Sequence, residues 1–385
     1  MSPEQSQPLR IGILAGESSG DTLGAGLIRS VKARYPNAVF EGIGGPKMIA
    51  EGCQSFADQE RLAVMGYVEP FKRLPELLGI RKKVREHFLN NPPDVFIGID
   101  SPSFNLSLEK RLKEAGIKTV HYVSPQVWAW RQGRVKKIAK SVDLILTLFP
   151  FEAKFYSDHD VPVTFVGHTL ADHLALEPDV DTARKALGIT TDEQAIALLP
   201  GSRGSEVKLL APEFLAAARL CLKKNPQLKF FIPAANEKRL VQLKQILEGF
   251  SDLPVTLMLG HSHEIMCAAD AVIMASGTTT LEAMLLKKPM VVAYKFPALS
   301  YAILSRLIKT PYIALPNILA GKELVPEIIQ NDVSPEILSE KIMLYFEDQE
   351  KVNALKNEFL VIHNTLKQNA DEKAAEAVLK LIKTV

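Results

Sequence analysis

The chain has 385 residues, and its 46 Lys and Arg residues nearly balance its 44 Asp and Glu residues, leaving a formal net charge of +2. That balance argues against a dedicated nucleic-acid binder, which usually carries a marked basic excess, and the length predicts two domains. Three widely spaced cysteines, Cys53, Cys221 and Cys267, indicate neither a disulfide framework nor a zinc site.

Short apolar runs alternate with longer helical patterns along most of the chain. In chain order, strands are predicted at Arg10–Ala15, Val39–Ile43, Asp94–Ile99, Thr119–Val123, Leu144–Leu148 and Val163–Val166. A second series is predicted at Ala195–Leu199, Lys229–Pro233, Val255–Met258, Ala271–Met274 and Met290–Tyr294. Most of these runs are apolar on both faces, as the strands of a helix-covered parallel sheet are. The alternation therefore predicts a doubly wound α/β architecture.

The strand series is interrupted by a polar, proline-containing stretch at residues 175–194. We place a domain boundary there, near residue 185. The prediction is one Rossmann-like domain over residues 1–185, a second over 186–345, and C-terminal helices over 346–385. These helices either complete the second domain or pack back on the first domain or on a partner chain.

The start of the chain, MSPEQSQPLR, has no charged segment followed by an apolar one, and so resembles no secretory signal. No apolar run reaches the roughly 18 residues that cross a bilayer. The sequence therefore predicts a cytoplasmic protein.

Ligands of open parallel sheets bind outside the carboxyl ends of the strands, so the residues that follow each predicted strand form the candidate site. These positions are unusually polar in both domains, and we expect the two rims to face each other across a cleft. The first-domain candidates, including two from the run Val127-Trp-Ala-Trp-Arg131, are Glu17, Ser18, Ser19, Ser124, Gln126, Trp130, Arg131 and His168.

The loop after the first strand, Gly16-Glu-Ser-Ser-Gly-Asp21, is rich in glycine but matches no phosphate motif. Its glycine spacing is not GxGxxG, and Asp21 stands where a P-loop has its lysine. One interpretation is a turn capped by its own side chains. The other is that Glu17 or Asp21 faces a neutral, hydroxyl-rich substrate or handles a proton.

Two loops of the second domain carry signals of phosphate binding. Gly201 allows a close turn, Ser202 offers a hydroxyl, and Arg203 offers a guanidinium that matches phosphate oxygens. The other loop runs from a strand through a turn of small residues into a helix, whose first N–H groups favour an anion. Its candidate residues are Ser276, Gly277 and Thr278.

Glu282 and Asn317 extend this predicted phosphate-binding site. Glu282 lies about one turn into the helix, where its carboxylate either accepts from two ribose hydroxyls or caps the first turn. Asn317 lies in Leu315-Pro-Asn-Ile-Leu-Ala-Gly321, which has too many helix breakers for a simple helix. It is either a cleft residue or part of a rigid surface loop.

Asp100 is the catalytic candidate of the first domain. It closes the apolar run Phe96-Ile-Gly-Ile-Asp100, where a carboxylate is costly unless it is partnered or used. Asp100 is either a general base that takes a proton from an attacking hydroxyl or a helix N-cap before Pro102.

Residues 65–80 are apolar, broken by prolines, and followed at once by a basic cluster. Such a segment either dips into an anionic membrane surface or forms a lid over the core. The residues predicted to touch a membrane are Val68, Phe71, Leu74, Leu77, Leu78, Arg81 and Lys82.

Metal ligands are not indicated. Asp158-His159-Asp160 matches a DxD metal-binding pattern, but it precedes a strand and so lies at the amino end of the sheet. His261 and His263 lack a compact set of further ligands. We therefore expect no metal and no cofactor.

Several motifs resemble the lipid-A-disaccharide synthase family, in order and over nearly the whole chain. HYVSPQVWAWR is highly specific, whereas PGSR and SGTTTLE are shared more widely among two-domain sugar transferases. The motifs are Ala15–Asp21, Gly98–Pro102, His121–Arg131, Leu198–Arg203, Ala275–Thr278 and Leu315–Gly321.

The resemblance implies a GT-B glycosyltransferase that needs no metal. Its members join UDP-2,3-diacylglucosamine to 2,3-diacylglucosamine 1-phosphate (lipid X), releasing UDP and forming a β-1,6-linked disaccharide in lipid A (lipopolysaccharide) biosynthesis. They work at the inner face of the bacterial inner membrane, and some form homodimers that exchange C-terminal parts. Asp100 is then the expected base, assisted by Glu17 or Asp21, while Arg203 stabilises the departing UDP.

Two alternatives stay open at this point. A UDP-N-acetylglucosamine 2-epimerase shares the two-domain fold but handles water-soluble sugars, which leaves the apolar and basic segment at 65–85 unexplained. A membrane-surface nucleotide-sugar-binding protein without catalysis has no need of Asp100.

Overall fold

The computed structural model describes residues 8–62, 69–130, 132–295 and 310–383, with only the backbone of residues 69–73. The chain divides into two compact units. The first unit runs up to Asp172 and resumes at Leu366, and the second unit comprises His173–Thr365. Each unit contains one parallel sheet, which confirms the predicted α/β class.

The first unit has a seven-stranded sheet with the order β3-β2-β1-β4-β5-β6-β7. The carboxyl ends of its strands lie at one edge. For example, Ala15 and Ile99, the last residues of β1 and β4, are partners in register. One strand, β3, was not predicted, because Cys-Gln-Ser forms no apolar run of the length that signals a strand. The strands are β1 Arg10–Ala15, β2 Val39–Ile43, β3 Cys53–Ser55, β4 Val95–Ile99, β5 Lys118–Tyr122, β6 Leu144–Thr147 and β7 Val163–Phe165.

Helices cover both faces of this sheet. One face packs Ile13 and Ile97 against α1 and the last helix of the chain, and the other packs Leu14 and Phe96 against α3 and α4. Proline at the first turn starts α2, α4 and α6, where its missing N–H has no partner to lose. The helices are α1 Ser18–Arg34, α2 Pro46–Ala50, α3 Glu69–Asn90, α4 Pro102–Glu114, α5 Val135–Ala139, α6 Pro150–Ser157 and α7 Thr169–His173.

The second unit has a six-stranded parallel sheet with the order β10-β9-β8-β11-β12-β13. Its strands are β8 Ala195–Leu199, β9 Lys229–Ala234, β10 Val255–Leu259, β11 Ala271–Ala275, β12 Met290–Tyr294 and β13 Glu327–Ile329. The helices with described bounds are α8 Val180–Ala186, α9 Gly204–Lys224, α10 Glu237–Leu247, α11 Ser262–Ala268, α12 Thr279–Leu285, α13 Leu315–Ala320, α14 Pro335–Glu347 and α15 Gln349–Leu366. Across the residues described, no helix has the length and apolarity to cross a membrane.

The order of strands reverses once in each sheet. β1 lies between β2 and β4, so the crossover that follows β1 and the one that follows β4 leave in opposite directions. β8 occupies the same place between β9 and β11. At such a switch point two loops at the carboxyl ends of adjacent strands leave a crevice between them. Here those loops begin at Gly16 and Asp100 in the first unit, and at Gly201 and Ser276 in the second.

The final helix, α16 (Ala370–Lys383), belongs to the first unit. It packs along α1 and buries Ala374, Ala375, Val378 and Leu379 in the core of that unit. The Asp172 carboxylate accepts hydrogen bonds from the N–H groups of Asn369 (2.9 Å) and Ala370 (2.7 Å), where α16 begins. A carboxylate at a helix N-terminus both satisfies free donors and complements the helix dipole.

Asp172→Ala should therefore lower the free energy of unfolding by about 1–2 kcal/mol, because two N–H groups at the start of α16 lose their acceptor. The measurement is urea unfolding of both proteins. Glu376→Ala, an exposed position on the same helix, is the matched control and should leave stability within about 0.5 kcal/mol. Equal stability of the Asp172 variant and the parent would contradict the capping role.

Candidate active site

The glycines of the first loop make room for the left-handed pair Asp100 and Ser101, called the acidic corner below. A Cβ placed on Gly20 would lie 2.5 Å from Oδ2 of Asp100, and one on Gly16 would lie 1.9 Å from the Ser101 hydroxyl oxygen. Both distances are far shorter than any van der Waals contact, so a side chain at either position would displace Asp100 or Ser101. The loop is therefore glycine-rich because Asp100 packs against it.

Asp100 sits in strained backbone with a buried carboxylate. Its φ is 48° and that of Ser101 is 40°, a left-handed pair that few non-glycine residues adopt. Neither carboxylate oxygen has a hydrogen-bond partner among the described residues. Strain and an unpaired buried acid together mark a position that the fold alone does not favour.

Burial raises the pKa of Asp100 from 3.8 to about 7, and the nearby charge of Glu17 adds to the rise. The Ser101 hydroxyl, the Gly16 N–H and His121 oppose it. The first two lie close to the carboxylate, but without the geometry of a hydrogen bond. A carboxylate with a pKa near neutrality is suited to exchange protons with a substrate.

Asp21, predicted as a second proton-handling acid, is engaged by the fold instead. Its buried carboxylate accepts hydrogen bonds from the N–H groups of Gly45 (2.9 Å), Lys47 (3.0 Å) and Met48 (3.0 Å). These donors belong to the first turn of α2, which has no other side-chain cap. Because three donors already occupy its oxygens, we assign Asp21 a structural role.

The other residues of the first loop remain accessible. Glu17, Ser18 and Ser19 are all exposed at the start of α1. Gln59, which no sequence motif singles out, donates its amide N–H to the carbonyls of Ala15 (3.2 Å) and Glu17 (2.8 Å). It fixes the loop from a part of the chain more than forty residues away.

The remaining first-unit candidates divide into buried and accessible residues. Ser124 is buried; its hydroxyl donates to the carbonyl of Pro125 (2.9 Å) and hydrogen-bonds the hydroxyl of Tyr156 (3.1 Å), which leaves it within the core. Gln126 is exposed and Trp130 is half-buried. Arg131 lies outside the described residues.

His168 is held as a neutral donor. Burial lowers its pKa to about 4, and Nδ1 accepts the N–H of Leu170 at 3.1 Å. With Nδ1 accepting, the ring proton is on Nε2. The ring packs beside Phe149, with centroids 5.5 Å apart. A neutral imidazole with a donor N–H suits a sugar hydroxyl better than a phosphate.

In the second unit, the loop after β8 carries its own acidic cap. Gly201 has a φ of 110°, and Glu206 accepts the N–H groups of Ser202 (3.2 Å) and Arg203 (3.1 Å). Glu206 also pairs with the Arg203 guanidinium at 2.8 Å. The Arg203 side chain is nevertheless 76% exposed, so it can turn toward an anion in solution.

A second guanidinium, that of Arg239, lies at the same helix start. A Cβ on Gly204 would be 2.2 Å from its Nη1, and its Nε is buried without a hydrogen-bond partner in the described chain. Gln242, one turn further along α10, donates to the Gly204 carbonyl at 3.0 Å. Arg239 was not predicted from the sequence; its place in the first turn of α10, directly after β9, was the available signal.

The loop after β11 lies on the other side of the second switch point. Gly277 and Thr278 are exposed, and the Ser276 hydroxyl donates to the carbonyl of Ile313 at 3.3 Å. Glu282 pairs with Nδ1 of His263 at 3.0 Å. His263 is thus a neighbour of the predicted ribose-binding acid. Within the described ranges, no group of three His, Cys, Asp or Glu residues could hold a metal ion.

Asn317 is structural, which differs from its predicted place in the donor site. Its side chain is fully buried: Nδ2 donates to the carbonyl of Val325 (2.9 Å) and the carboxylate of Glu327 (2.8 Å). Oδ1 accepts the N–H groups of Leu324 (2.7 Å) and Val325 (3.0 Å). These four bonds use its full capacity. The segment Leu315–Ala320 is also a helix, contrary to the prediction, because its proline falls in the first turn.

The predicted membrane segment is only partly described. Val68 lies outside the described residues, as does the side chain of Phe71. Leu74 and Leu78 are 47% and 45% exposed, whereas Leu77 packs against the core. The basic residues sit nearby: Arg81 lies 5.8 Å over the Phe104 ring, and Lys82 is 3.8 Å from Glu86.

Two doubly wound parallel sheets in one chain are the architecture of the GT-B fold. A UDP-GlcNAc 2-epimerase from Neisseria meningitidis bound to UDP-GlcNAc has a TM-score of 0.62 and 13% identity, covering 98% of this chain and 100% of that one. WaaG, a glycosyltransferase involved in lipopolysaccharide biosynthesis, has a TM-score of 0.57 and 13% identity, covering 96% and 99%. At such identity these structures establish the fold alone.

Sequence comparison identifies the family. Residues 11–380 match the model described as Lipid-A-disaccharide synthetase. The lipid-A-disaccharide synthase of Cellvibrio japonicus is 56% identical over 375 residues, covering 97% of this chain and 98% of the relative. That of Saccharophagus degradans is 54% identical, covering 97% of each. The chain belongs to the lipid-A-disaccharide synthase family and is a glycosyltransferase of lipid A biosynthesis, which confirms the resemblance.

Asp100→Asn should change how stability depends on pH. The folded protein keeps the Asp100 proton up to about pH 7, whereas the unfolded chain releases it near pH 4. This group's contribution to the free energy of unfolding therefore falls as the pH rises from about 4 to about 7. Asparagine cannot ionise and tolerates left-handed backbone. The variant should gain up to about 4 kcal/mol on the parent across that window.

The measurement is urea unfolding at pH 4 and pH 8. Asp160→Asn is the matched control, because Asp160 is exposed and has a φ of 56° in the same unit. It should show no such pH-dependent gain. A difference between the Asp100 variant and the parent that is constant with pH would contradict the raised pKa.

Proposed function

We propose that the chain condenses UDP-2,3-diacylglucosamine with 2,3-diacylglucosamine 1-phosphate (lipid X) to give the β-1,6-linked disaccharide 1-phosphate and UDP. Membership of the family and the names of its relatives support this reaction. The observation in this chain that carries the catalytic proposal is the buried, unpaired Asp100 carboxylate at the first switch point.

The stereochemistry sets what the protein must supply. The donor is α-linked and the product β-linked, so a single displacement at C1 inverts the centre. The acceptor 6-hydroxyl oxygen forms the new bond to C1 while the bond from C1 to the UDP oxygen breaks. Asp100 takes the hydroxyl proton, and UDP leaves with the bonding electron pair. Its pKa of about 7 makes Asp100 a stronger base than an ordinary carboxylate.

The second unit provides cations for the leaving group. Arg203 and Arg239 flank the start of α9, and guanidinium groups match phosphate oxygens and stay charged. We assign Arg239 to the UDP phosphates together with Arg203, and Ser276, Gly277 and Thr278 to the same donor. Charge that develops on UDP is stabilised by these groups, so the proposal needs no metal ion.

Acceptor contacts are assigned to the accessible polar residues of the first unit. Glu17, Ser18 and Ser19 are exposed beside Asp100, and His168 presents a neutral N–H donor. Hydroxyl-rich sugars are recognised by such neutral donors and carboxylate acceptors. This assignment keeps the predicted sugar-facing role of Glu17 and removes Asp21 and Ser124 from the site.

Asp100→Asn should lower kcat by about 10²–10⁴, the usual contribution of a general base, with UDP affinity unchanged. Arg203→Ala and Arg239→Ala should each weaken UDP binding about tenfold, because a charged hydrogen bond to phosphate is lost. The assays are disaccharide formation with EDTA present and calorimetry with UDP. Arg219→Ala is the control, because Arg219 pairs with Asp252 elsewhere on the second unit. Full turnover by the Asp100→Asn variant would exclude the Asp100 carboxylate as the base.

We further propose that α3 rests on an anionic membrane surface, such as the inner face of the bacterial inner membrane. Exposed Leu74 and Leu78 lie on the same helix as Arg81 and Lys82. Apolar side chains that enter the membrane and nearby cations act together at such a surface.

The homodimer with exchanged C-terminal parts stays a prediction. In such a dimer, α16 would make its contacts with α1 of the other chain.

The double substitution Leu74→Ser and Leu78→Ser should reduce co-sedimentation with vesicles of phosphatidylglycerol and phosphatidylethanolamine several-fold, because apolar area is lost from the interface. Val241→Ser is the matched control, since Val241 is 54% exposed on α10 of the second unit. Equal losses in both proteins, or no loss in either, would place the contact elsewhere.

A further inference from the structure

A polar stripe runs along the inward face of α4, where apolar side chains are expected. Asn105 and Glu109 are one helical turn apart, and both are fully buried. Leu108 and Leu112, on the same helix, are buried in an apolar cluster. Burying an amide or a carboxylate costs free energy of folding unless hydrogen bonds compensate. The partners of these two side chains therefore indicate what the stripe does.

Gly98 of β4 allows this stripe to reach the sheet. A Cβ on Gly98 would lie 2.1 Å from Oε1 of Glu109 and 2.9 Å from Cβ of Asn105. The space beside the strand is therefore filled by the two polar side chains. Glu109 meets His121 of the adjacent strand β5, with 2.7 Å between Oε1 and Nδ1, and both side chains are fully buried. Gly98 and His121 are partners in register.

Asn105 holds the backbone of the acidic corner. Its Nδ2 donates to the carbonyls of Ile99 (3.1 Å) and Asp100 (2.9 Å). The Asp100 N–H donates to the carbonyl of Tyr122 at 2.9 Å, so this peptide unit is bonded on both sides. Two successive left-handed residues persist only where surrounding contacts determine them. Within the part of the chain that is described, Asn105 is the side chain that makes those contacts with the carbonyls.

We propose that Asn105 is a positioning residue for Asp100: its amide fixes the left-handed corner that aims the Asp100 carboxylate between Gly16 and Gly20, and the Glu109–His121 pair fixes α4 against the strand. The proposal rests on the proposed function, in which Asp100 is the base. The titratable groups that face Asp100 are Glu17 from the first loop and His121 from β5.

The chemistry favours asparagine at this position. Among neutral side chains of this length, only the amide of asparagine presents two N–H donors from one nitrogen to two successive carbonyls. Aspartate has the same shape but brings acceptor oxygens to both carbonyls, and alanine leaves both carbonyls without their donor. In either variant the corner is free to relax, so the Asp100 carboxylate reaches water and loses part of its burial.

The experiment uses the full-length enzyme with Asn105→Asp and Asn105→Ala, measured for kcat, KM and UDP affinity from pH 5 to 9. We expect kcat to fall about ten- to a hundredfold while the UDP-sugar KM and UDP affinity change less than about threefold. The acidic limb of the kcat profile should move to lower pH by about one unit, because a hydrated carboxylate ionises more readily. Leu108→Ala is the matched control for loss of packing in α4, and its acidic limb should stay in place.

A second readout does not need turnover. Carbon-13 NMR of aspartate-labelled protein follows the Asp100 carboxyl, assigned by its absence in Asp100→Asn, and its titration should move to lower pH in both Asn105 variants. An unmoved titration in the variant that folds, or a loss of kcat that matches Leu108→Ala with the acidic limb in place, would overturn the proposal. If Asp100→Asn keeps full turnover, the base assignment fails, while the NMR titration still decides whether Asn105 positions Asp100.

Discussion

Parallel pairing of strands is the constraint from which both sites follow. In a parallel sheet all carboxyl ends lie at one edge, and helices must cross back over the faces. Where the strand order reverses, between β1 and β4 and between β8 and β11, neighbouring crossovers diverge. The loops at Gly16 and Asp100 therefore follow neighbouring strands of the first sheet. Those at Gly201 and Ser276 follow neighbouring strands of the second sheet. The same geometry yields an acid-lined site in one unit and a cation-flanked site in the other, because only the loop residues differ.

Carboxylates cap helix starts in both units. Asp21 caps α2, Glu206 caps α9 and Asp172 caps α16, each by accepting backbone N–H groups. A helix start already satisfied by an acid has little to offer a free phosphate. In the second unit, Arg203 and Arg239 restore positive charge at such a start. The first unit has no comparable pair beside Asp100 in the described residues, so its loop suits a sugar hydroxyl.

The spacing and composition of the apolar runs predicted most strands, because buried parallel strands are apolar on both faces. β3 (Cys-Gln-Ser) and β13 (Glu-Ile-Ile) were not predicted, because neither coincides with an apolar run of four to eight residues. The roles of polar residues were harder to predict, because their partners are distant in sequence. Asp21 finds its donors at residues 45–48, Gln59 reaches Ala15, and Arg239 approaches Gly204. Asn317 lies in a conspicuous motif, yet only its bonds to Val325 and Glu327 reveal that it is structural.

The junction around Asp172 has a consequence for biosynthesis. His173–Thr365 is an insertion within the first unit, and the chain leaves and re-enters at one place, where His168 N–H bonds the carbonyl of Leu366 and Asp172 holds the start of α16. A ribosome must therefore make the whole inserted unit before α1 receives the helix that covers it. Until then Ile28 and Val31, both in the cluster that α16 completes, face water or a chaperone. A late frameshift would thus damage the part of the protein that is made first.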